Sequence, residues 1–390
     1  MTSAGRIRSV TPLHIEKHLF VEVTTEDGRT GTGEAGVWGH IEATAAAVQK
    51  YGEYLVGRSA DLIEDHWNMM HRFSHYRGAA IMGAISAIDI ALWDLKGQKL
   101  GEPIHALLGG PTRTTARVYG HVKADTREGM VAACLDLKRR GFTAVGHLNP
   151  FLDESRDIPY ARTHAQKLGE GVATLAAIRE AVGPEVDLCV EIHRRLTPAE
   201  AITFAEEIAP LRPLFYEDPI RPDSVDSMAR VARHISLPIA TGERLVSLYE
   251  FQQLLTREAV AYVRPSIGLC GGITGARKIA ALAEAHDVQV VPHNPFSPVI
   301  LHAGLHLAAA IPNFAIQEYP TAEWADDTSS IGLRGEHFVT EVAPLEAGYA
   351  CIPTAPGLGT RLPPDASTRF PAVPRPVFMR RHRDGSVLEQ

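Results

Sequence analysis

Three glutamates fall on an even beat in this chain. Glu191 stands in VEIHRR, Glu217 in FYEDP and Glu243 in ATGERL, each 26 residues after the last. Carboxylates are hard oxygen ligands, and three that converge on one point suit Mg2+. The series goes on at nearly the same interval. Ser266 follows VRP, His293 ends VVPH and Glu318 ends AIQE, at steps of 23, 27 and 25 residues. His193 lies just beyond the first glutamate. An imidazole titrates near neutrality and can give or take a proton. One glutamate at a strand end is usually a solvated charge. Three in register, flanked by His193, His293 and Glu318, point to a metal-assisted proton-transfer site.

These residues need elements that bring them together. Each glutamate follows a short apolar run (188–190, 214–216, 238–240), and amphipathic stretches at 198–209 and 224–235 separate them. Apolar run, turn, helix, apolar run is the βαβ pattern of a parallel sheet, whose chemistry sits at the carboxyl ends of the strands. The same alternation predicts strands at 116–120, 143–147, 187–191, 214–217, 239–242, 261–264, 289–292 and 315–317, the first seven each followed by a helix. That is close to a closed β/α barrel. Residues 1–112 read differently. Strands at 6–14, 18–25 and 29–34, the last two joined at Asp27-Gly28, precede helices at 41–55, 60–73 and 79–99. Strands followed by helices suggest a small α+β domain. Gly109-Gly110-Pro111 marks its end, 113–330 form the barrel, and 331–390 return to the first domain. The basic stretch 375–383 is expected to be a solvated tail. The connection at 149–163 is long enough for a lid or binding loop, or for a plain insertion.

The bulk composition narrows the function without naming it. With 390 residues, 45% hydrophobic and 22% charged, the chain can bury a sizeable core. Its net charge of −7 gives no case for nucleic acid or an anionic membrane as partner. Cys134, Cys189, Cys270 and Cys351 are scattered without a CxxC pair, which suggests buried thiols in a reduced compartment. There is no basic-then-apolar leader and no long apolar run, so a cytoplasmic protein is expected.

Some motifs are decoys. GTGEAG (31–36) spells GxGxxG but forms the second arm of a hairpin rather than opening a helix, as a dinucleotide site requires. GLCGG (268–272) lacks the Lys-Ser/Thr of a phosphate loop and reads as a tight turn. His302 and His306 have the i, i+4 spacing of a zinc pair, without the Glu that follows the first His in such motifs. His71 and His75 fare no better.

Taken together, GTGE, AISAIDIALWDLKGQKLGEP (84–103), LLGG, EIH, YEDP, TGER, GGITGARKIA, PHNP and PGLG resemble the enolase superfamily. The closest likeness is to its mandelate racemase branch, and within that to acid-sugar dehydratases of the galactonate dehydratase type. The resemblance covers nearly the whole chain. It implies an α/β fold, a (β/α)7β modified TIM barrel with an N-terminal α+β capping domain, and one Mg2+ held by Glu191, Glu217 and Glu243. The implied substrate is a small-molecule carboxylate, an aldonate-type sugar acid. His293 would take the α-proton, His193 would serve as acid for the departing β-hydroxyl, and Glu318 would sit near the enediolate oxygens. The product would be a 2-keto-3-deoxy acid. Substrate contacts would come from Trp38 and His40 in one cap loop, Tyr76 and Arg77 (with His75) in another, and Asn149 at the root of the long loop. A homo-oligomer is implied, with an octamer as the guess. The alternatives are a divergent racemase, epimerase or cycloisomerase of the superfamily, or a non-catalytic binding member.

Three positions depart from the branch's pattern. The first metal position, usually Asp, is Glu191, one methylene longer. Ser266 stands where an Asp usually pairs with the barrel histidine. Where many relatives carry a Lys on the second strand, VGHLNPF offers Gly146 or His147, with one extra residue, and His147 becomes an alternative acid or base.

Overall fold

The computed structural model describes residues 5–152, 157–321 and 333–388. The chain opens with an antiparallel meander, β1 (Ile7–Ile15), β2 (His18–Thr25) and β3 (Thr30–Ala35). Three helices follow: α1 (Ile41–Leu55), α2 (Ile63–Arg72) and α3 (Ala79–Leu100). α3 is apolar nearly all round because it is covered on several sides. One side packs on β3. A Cβ on Gly31 or Gly33 would come within 2.1 or 1.9 Å of the α3 carbonyls of Ala91 and Ala87. The glycines of GTGE therefore serve strand–helix approach.

A short helix, α4 (Ile104–Leu107), leads to eight parallel barrel strands and seven helices in strict alternation. They are β4 (Thr115–His121), α5 (Arg127–Arg139), β5 (Ala144–Leu148), α6 (His164–Val182), β6 (Asp187–Glu191), α7 (Pro198–Ile208), β7 (Phe215–Glu217), α8 (Val225–His234), β8 (Ile239–Thr241), α9 (Leu248–Thr256), β9 (Tyr262–Val263), α10 (Gly272–Glu284), β10 (Gln289–Val290), α11 (Pro298–Ala310) and β11 (Gln317–Tyr319). Neighbours pair in sequence order. The ring closes where β11 pairs with β4 and Val290 bridges Phe314. Tyr119, Cys189, Phe215, Ala240, Val291 and Ile316 pack together in the interior, so the barrel is a filled core and not a pore. Capping boxes at Thr163/Gln166, Thr197/Glu200 and Ser247/Glu250 start α6, α7 and α9 where each loop must turn back. Among the described residues no helix is long and apolar enough to cross a membrane. Cys134, Cys189 and Cys270 are buried and Cys351 is partly exposed.

The C-terminal segment touches both domains. β12 (Leu345–Glu346) and β13 (Tyr349–Cys351) form a hairpin that adds antiparallel to β4. Leu358 N–H donates to Asp94 of α3 (2.8 Å), and Val373 N–H donates to Glu16 O at the end of β1 (2.8 Å). The expectation of a solvated basic tail holds for 375–379, which are exposed, and fails at Arg380. Arg380 is only 3% exposed and donates to Ile158 O (2.7 Å), while Tyr160 exchanges backbone bonds with Arg381 and Arg383. The tail is a strap across the long loop. Residues 153–156 of that loop lie outside the described residues, as do 331–332 at the expected barrel boundary.

Candidate active site

Glu191 ends β6, Glu217 ends β7, and Glu243 follows β8, so the βα rhythm delivers three carboxylates to one mouth of the barrel. All three are buried, and a ligand oxygen from each lies within 4.8 Å of the others. The longer arm of Glu191 does not take it out of the cage. Such crowding needs compensation. His147 Nδ1 lies 2.6 Å and His193 Nε2 3.6 Å from Glu191. Arg264 is ion-paired to Glu217 and Glu318. Arg194 reaches Glu243 (2.7 Å) and Asp218 (3.2 Å), and His293 Nε2 meets Glu243 at 3.1 Å.

Burial pushes the Glu191 carboxyl up, but His147 and His193 outweigh it and hold the group below the usual carboxylate range. Glu318 is likewise raised by burial and then held well down by Arg264, His293 and His121. Asp218 goes the other way: burial and the neighbouring Glu243 push it up to about 7. Burial drives His193 down to about 4 despite Glu191. The cluster thus sets five carboxylates against the guanidiniums of Arg194, Arg264 and the more exposed Arg244, with imidazoles beside them. Hard oxygen donors in a buried, net-negative cage fit a divalent cation.

The strand ends are also where the backbone is strained. His147 (φ 50°), His193 (57°), Arg194 (69°) and Asp218 (40°) all adopt left-handed conformations, which cost energy for non-glycine residues and cluster at functional sites. On β5 the extra residue is a bulge, seen as a register shift against β6 between Val145 and Leu148. A Cβ on Gly146 would strike the Tyr119 ring at 2.1 Å, so that position faces the packed interior and His147 reaches the mouth. The His147 ring stacks on His121 at 4.8 Å and 15°.

Ser266 bridges His293 across β9 and β10, in the place expected for a charged partner. Neither Ser266 Oγ nor His293 Nδ1, both buried, has a hydrogen-bond partner in the protein. The carboxylate that approaches His293 is Glu243, on the other nitrogen. Glu318 instead accepts from Asn294 N–H (2.7 Å) and pairs with His121 Nε2 (2.8 Å).

The cap meets the same mouth. Gly36 N–H donates to Gly268 O (2.7 Å), and Glu34 accepts from Ser297 Oγ (2.5 Å) while pairing with His18 (2.7 Å). Trp38 stacks on Phe296 at 4.8 Å, and Phe296 is an edge-on neighbour of His293. Trp38 therefore stands near the histidine. The other expected substrate contacts are not drawn in. His40 is exposed, Tyr76 is 81% exposed, and Arg77 bonds to His71 O within the cap. Asn149 Oδ1 accepts from Phe151 N–H (3.0 Å), closing the first turn of its own loop. His302 and His306 use both ring nitrogens on Leu358 O, Ala343 N and His105 N, which leaves neither ring a free ligand atom.

Arg264, Arg194, Asp218 and His121 are site residues that the spacing did not single out. One signal was present for Arg264, a charge at the end of the apolar run AVAYV.

Comparison with known proteins agrees with this architecture. Residues 6–109 match the mandelate racemase / muconate lactonizing enzyme N-terminal domain, and residues 129–366 match the enolase C-terminal domain-like family. A D-galactonate dehydratase of Ralstonia pickettii (strain 12J) is 36% identical over 389 residues, covering 95% of this chain and 96% of that protein. Among solved structures, an enolase from Agrobacterium radiobacter with Na and L-malate bound superposes with a TM-score of 0.89 at 27% identity, over 99% of this chain and 100% of that one. The 3,6-anhydro-D-galactonate cycloisomerase of Zobellia galactanivorans gives 0.82 at 27% identity, over 94% and 99%. The chain belongs to the mandelate racemase / muconate lactonizing enzyme family of the enolase superfamily, among its dehydratase-type lyases.

Proposed function

We propose that this protein dehydrates a sugar acid of the aldonate type, removing the proton α to the carboxylate and the β-hydroxyl to give a 2-keto-3-deoxy acid. The observation that carries the reading is the buried cage of Glu191, Glu217 and Glu243, with His193 on its β6 side and His293 on its β10 side. The three glutamates would hold Mg2+, which as a Lewis acid would stabilise negative charge developing on the substrate carboxylate. His293 would take the α-proton through Nε2, since Nδ1 is buried. His193 would protonate the departing hydroxyl from the other side of the mouth. Glu318, kept ionised by Arg264, is too well paired to act as an acid and is assigned to positioning: it fixes His121 and the Asn294 backbone. His147, held by Glu191, is the alternative acid on the β5 side. Trp38 on Phe296 would shield His293 from bulk water, and Asn149, His40, Tyr76 and Arg77 would contribute substrate contacts only if their loops close.

The test is to incubate the protein with a panel of aldonic and aldaric acids, with magnesium and with EDTA, and to assay 2-keto acid formation. Magnesium-dependent keto acid from at least one sugar acid is expected. If no acid yields product and none exchanges its α-proton with deuterated solvent, the dehydratase reading is wrong. A racemase or epimerase would exchange that proton without releasing a keto acid.

A further inference from the structure

Arg264 leaves β9 into the middle of the barrel, where it is only 1% exposed. Nη1 is ion-paired to Glu217 and lies 3.9 Å from Glu243. Nη2 is ion-paired to Glu318 and donates to Tyr119 Oη at 2.6 Å. A guanidinium stays charged in a protein interior. A permanent positive charge therefore touches one of the three carboxylates that form the cage and lies close to a second.

We propose that Arg264 is a positioning residue that competes with the divalent cation for Glu217, so that it holds the cage together when empty and sets how tightly the cage fills. This rests on the metal-assisted reading above. Without a cation, buried like charges within 4.8 Å of one another repel strongly. Arg264 relieves this by lying between Glu217 and Glu318 as a bridge. With a cation present, two positive groups share Glu217, and their repulsion weakens binding. The bridge makes that competition tolerable. Glu318, anchored by Asn294 N–H and His121, keeps one arm of the guanidinium satisfied while Glu217 is shared. Arg194 spans no such bridge: a single nitrogen, Nη1, makes both of its contacts, to Glu243 and to Asp218. If Arg264 merely aimed Glu217 at the metal, its removal would weaken binding, which is the opposite sign.

The experiment is magnesium titration by calorimetry, with thermal melts in EDTA, of the wild type, Arg264→Gln and Arg264→Lys. Arg264→Gln should melt lower in EDTA and bind magnesium about tenfold tighter or more, while Arg264→Lys, which keeps the charge, should stay within about threefold of the wild type. If Arg264→Gln is unfolded in EDTA, refolding on addition of magnesium supports the proposal, and failure to refold at saturating magnesium overturns it. Binding by a folded Arg264→Gln that is no tighter than wild type overturns it too. So does Arg264→Lys binding as tightly as Arg264→Gln, since charge would then not be the cause. A wild type that binds no magnesium overturns both this proposal and the metal-assisted reading. Wild-type binding with an unchanged Arg264→Gln overturns this proposal alone.

Discussion

His302 and His306 on α11 clasp the C-terminal segment, and the clasp should open in acid. His302 Nδ1 lies 3.0 Å from Leu358 O and must donate to it, so Nε2 is left to accept Ala343 N–H (3.0 Å). His306 is the mirror case: Nε2 donates to the same carbonyl (3.1 Å) and Nδ1 accepts His105 N–H (3.3 Å). Each ring is therefore neutral with a fixed tautomer, and an added proton would point at a backbone N–H. Burial pushes His302 down to about 4 and His306 to about 3. The unfolded chain takes up these protons near pH 6.5. Below that pH it binds more protons than the folded one, so stability falls with falling pH until the folded groups titrate. At pH 5 the loss is about 2 kcal/mol for each histidine, at 1.36 kcal/mol per pH unit. The groups around the clasp pull in both directions. The His105 ring, 5.5 Å from His306, is also lowered by burial, whereas Asp94, which accepts Leu358 N–H, is raised by burial to about 6 and loses stability as pH rises. A difference against His306→Gln removes these shared contributions. Gln can still donate to Leu358 O, and the variant should be about 1 kcal/mol less stable than wild type at pH 7.5. By pH 5 that gap should close or reverse, a swing of about 2 kcal/mol. Urea melts followed by circular dichroism from pH 7.5 to 5 measure it. A gap that stays constant within about 0.5 kcal/mol refutes the tautomer assignment.

Other perturbations address the site and its strap directly. Magnesium at a hundred times its dissociation constant should stabilise the wild type by about 2.7 kcal/mol, and Glu217→Gln should abolish nearly all of that shift while leaving the far-ultraviolet spectrum unchanged. A full shift in the variant would place the cation elsewhere. His293→Asn should slow exchange of the substrate α-proton with deuterated solvent by about 100-fold or more, whereas His193→Asn should block hydroxide loss and leave exchange measurable. Exchange that survives in His293→Asn but disappears in His147→Asn moves the base to β5. Arg380→Ala should raise amide hydrogen exchange at 158–160 by about tenfold, with little change in the barrel strands; equal protection in both proteins would mean that the tail does not restrain the loop.

The barrel was legible because each strand is a short apolar run with its polar group at the carboxyl end, so one pattern encodes both fold and site. Its last strand shows the limit of that reading. The run Ala315-Ile316-Gln317 marks an extended segment, but hydrogen bonding changes partner along it. Ala315 bonds back to Val290, while Gln317 to Tyr319 pair with β4, and the regular strand is therefore assigned two residues later. Arg380 in the tail was misread for a related reason. A basic, proline-containing stretch looks solvated when judged by composition. What buries Arg380 is pairing with a loop more than 200 residues away, to which local pattern is blind.

The site divides along the same line. Glu191, Glu217, Glu243, His293 and Glu318 could be found because ligands must sit where strands end, and strand ends recur at fixed intervals. Their counter-charges obey no such interval. Arg194 follows the strand it serves, Arg264 comes from the interior of the ring, and His121 sits at the end of the first barrel strand beside the last. Each is placed by the need to offset buried negative charge, a three-dimensional requirement that no single stretch of chain records. The same requirement bears on Ser266. Loss of an acid there removes one negative charge from a crowded cluster, and Glu243 takes over the contact with His293. The histidine's carboxylate partner is thus a member of the metal cage itself. His293 and a cation would then draw on the same carboxylate, so magnesium affinity should depend on what occupies position 293. His293→Asn should bind magnesium more tightly than wild type by titration calorimetry, because the contact that occupies Glu243 is weakened; equal affinity would show that the contact between Glu243 and His293 carries no coupling.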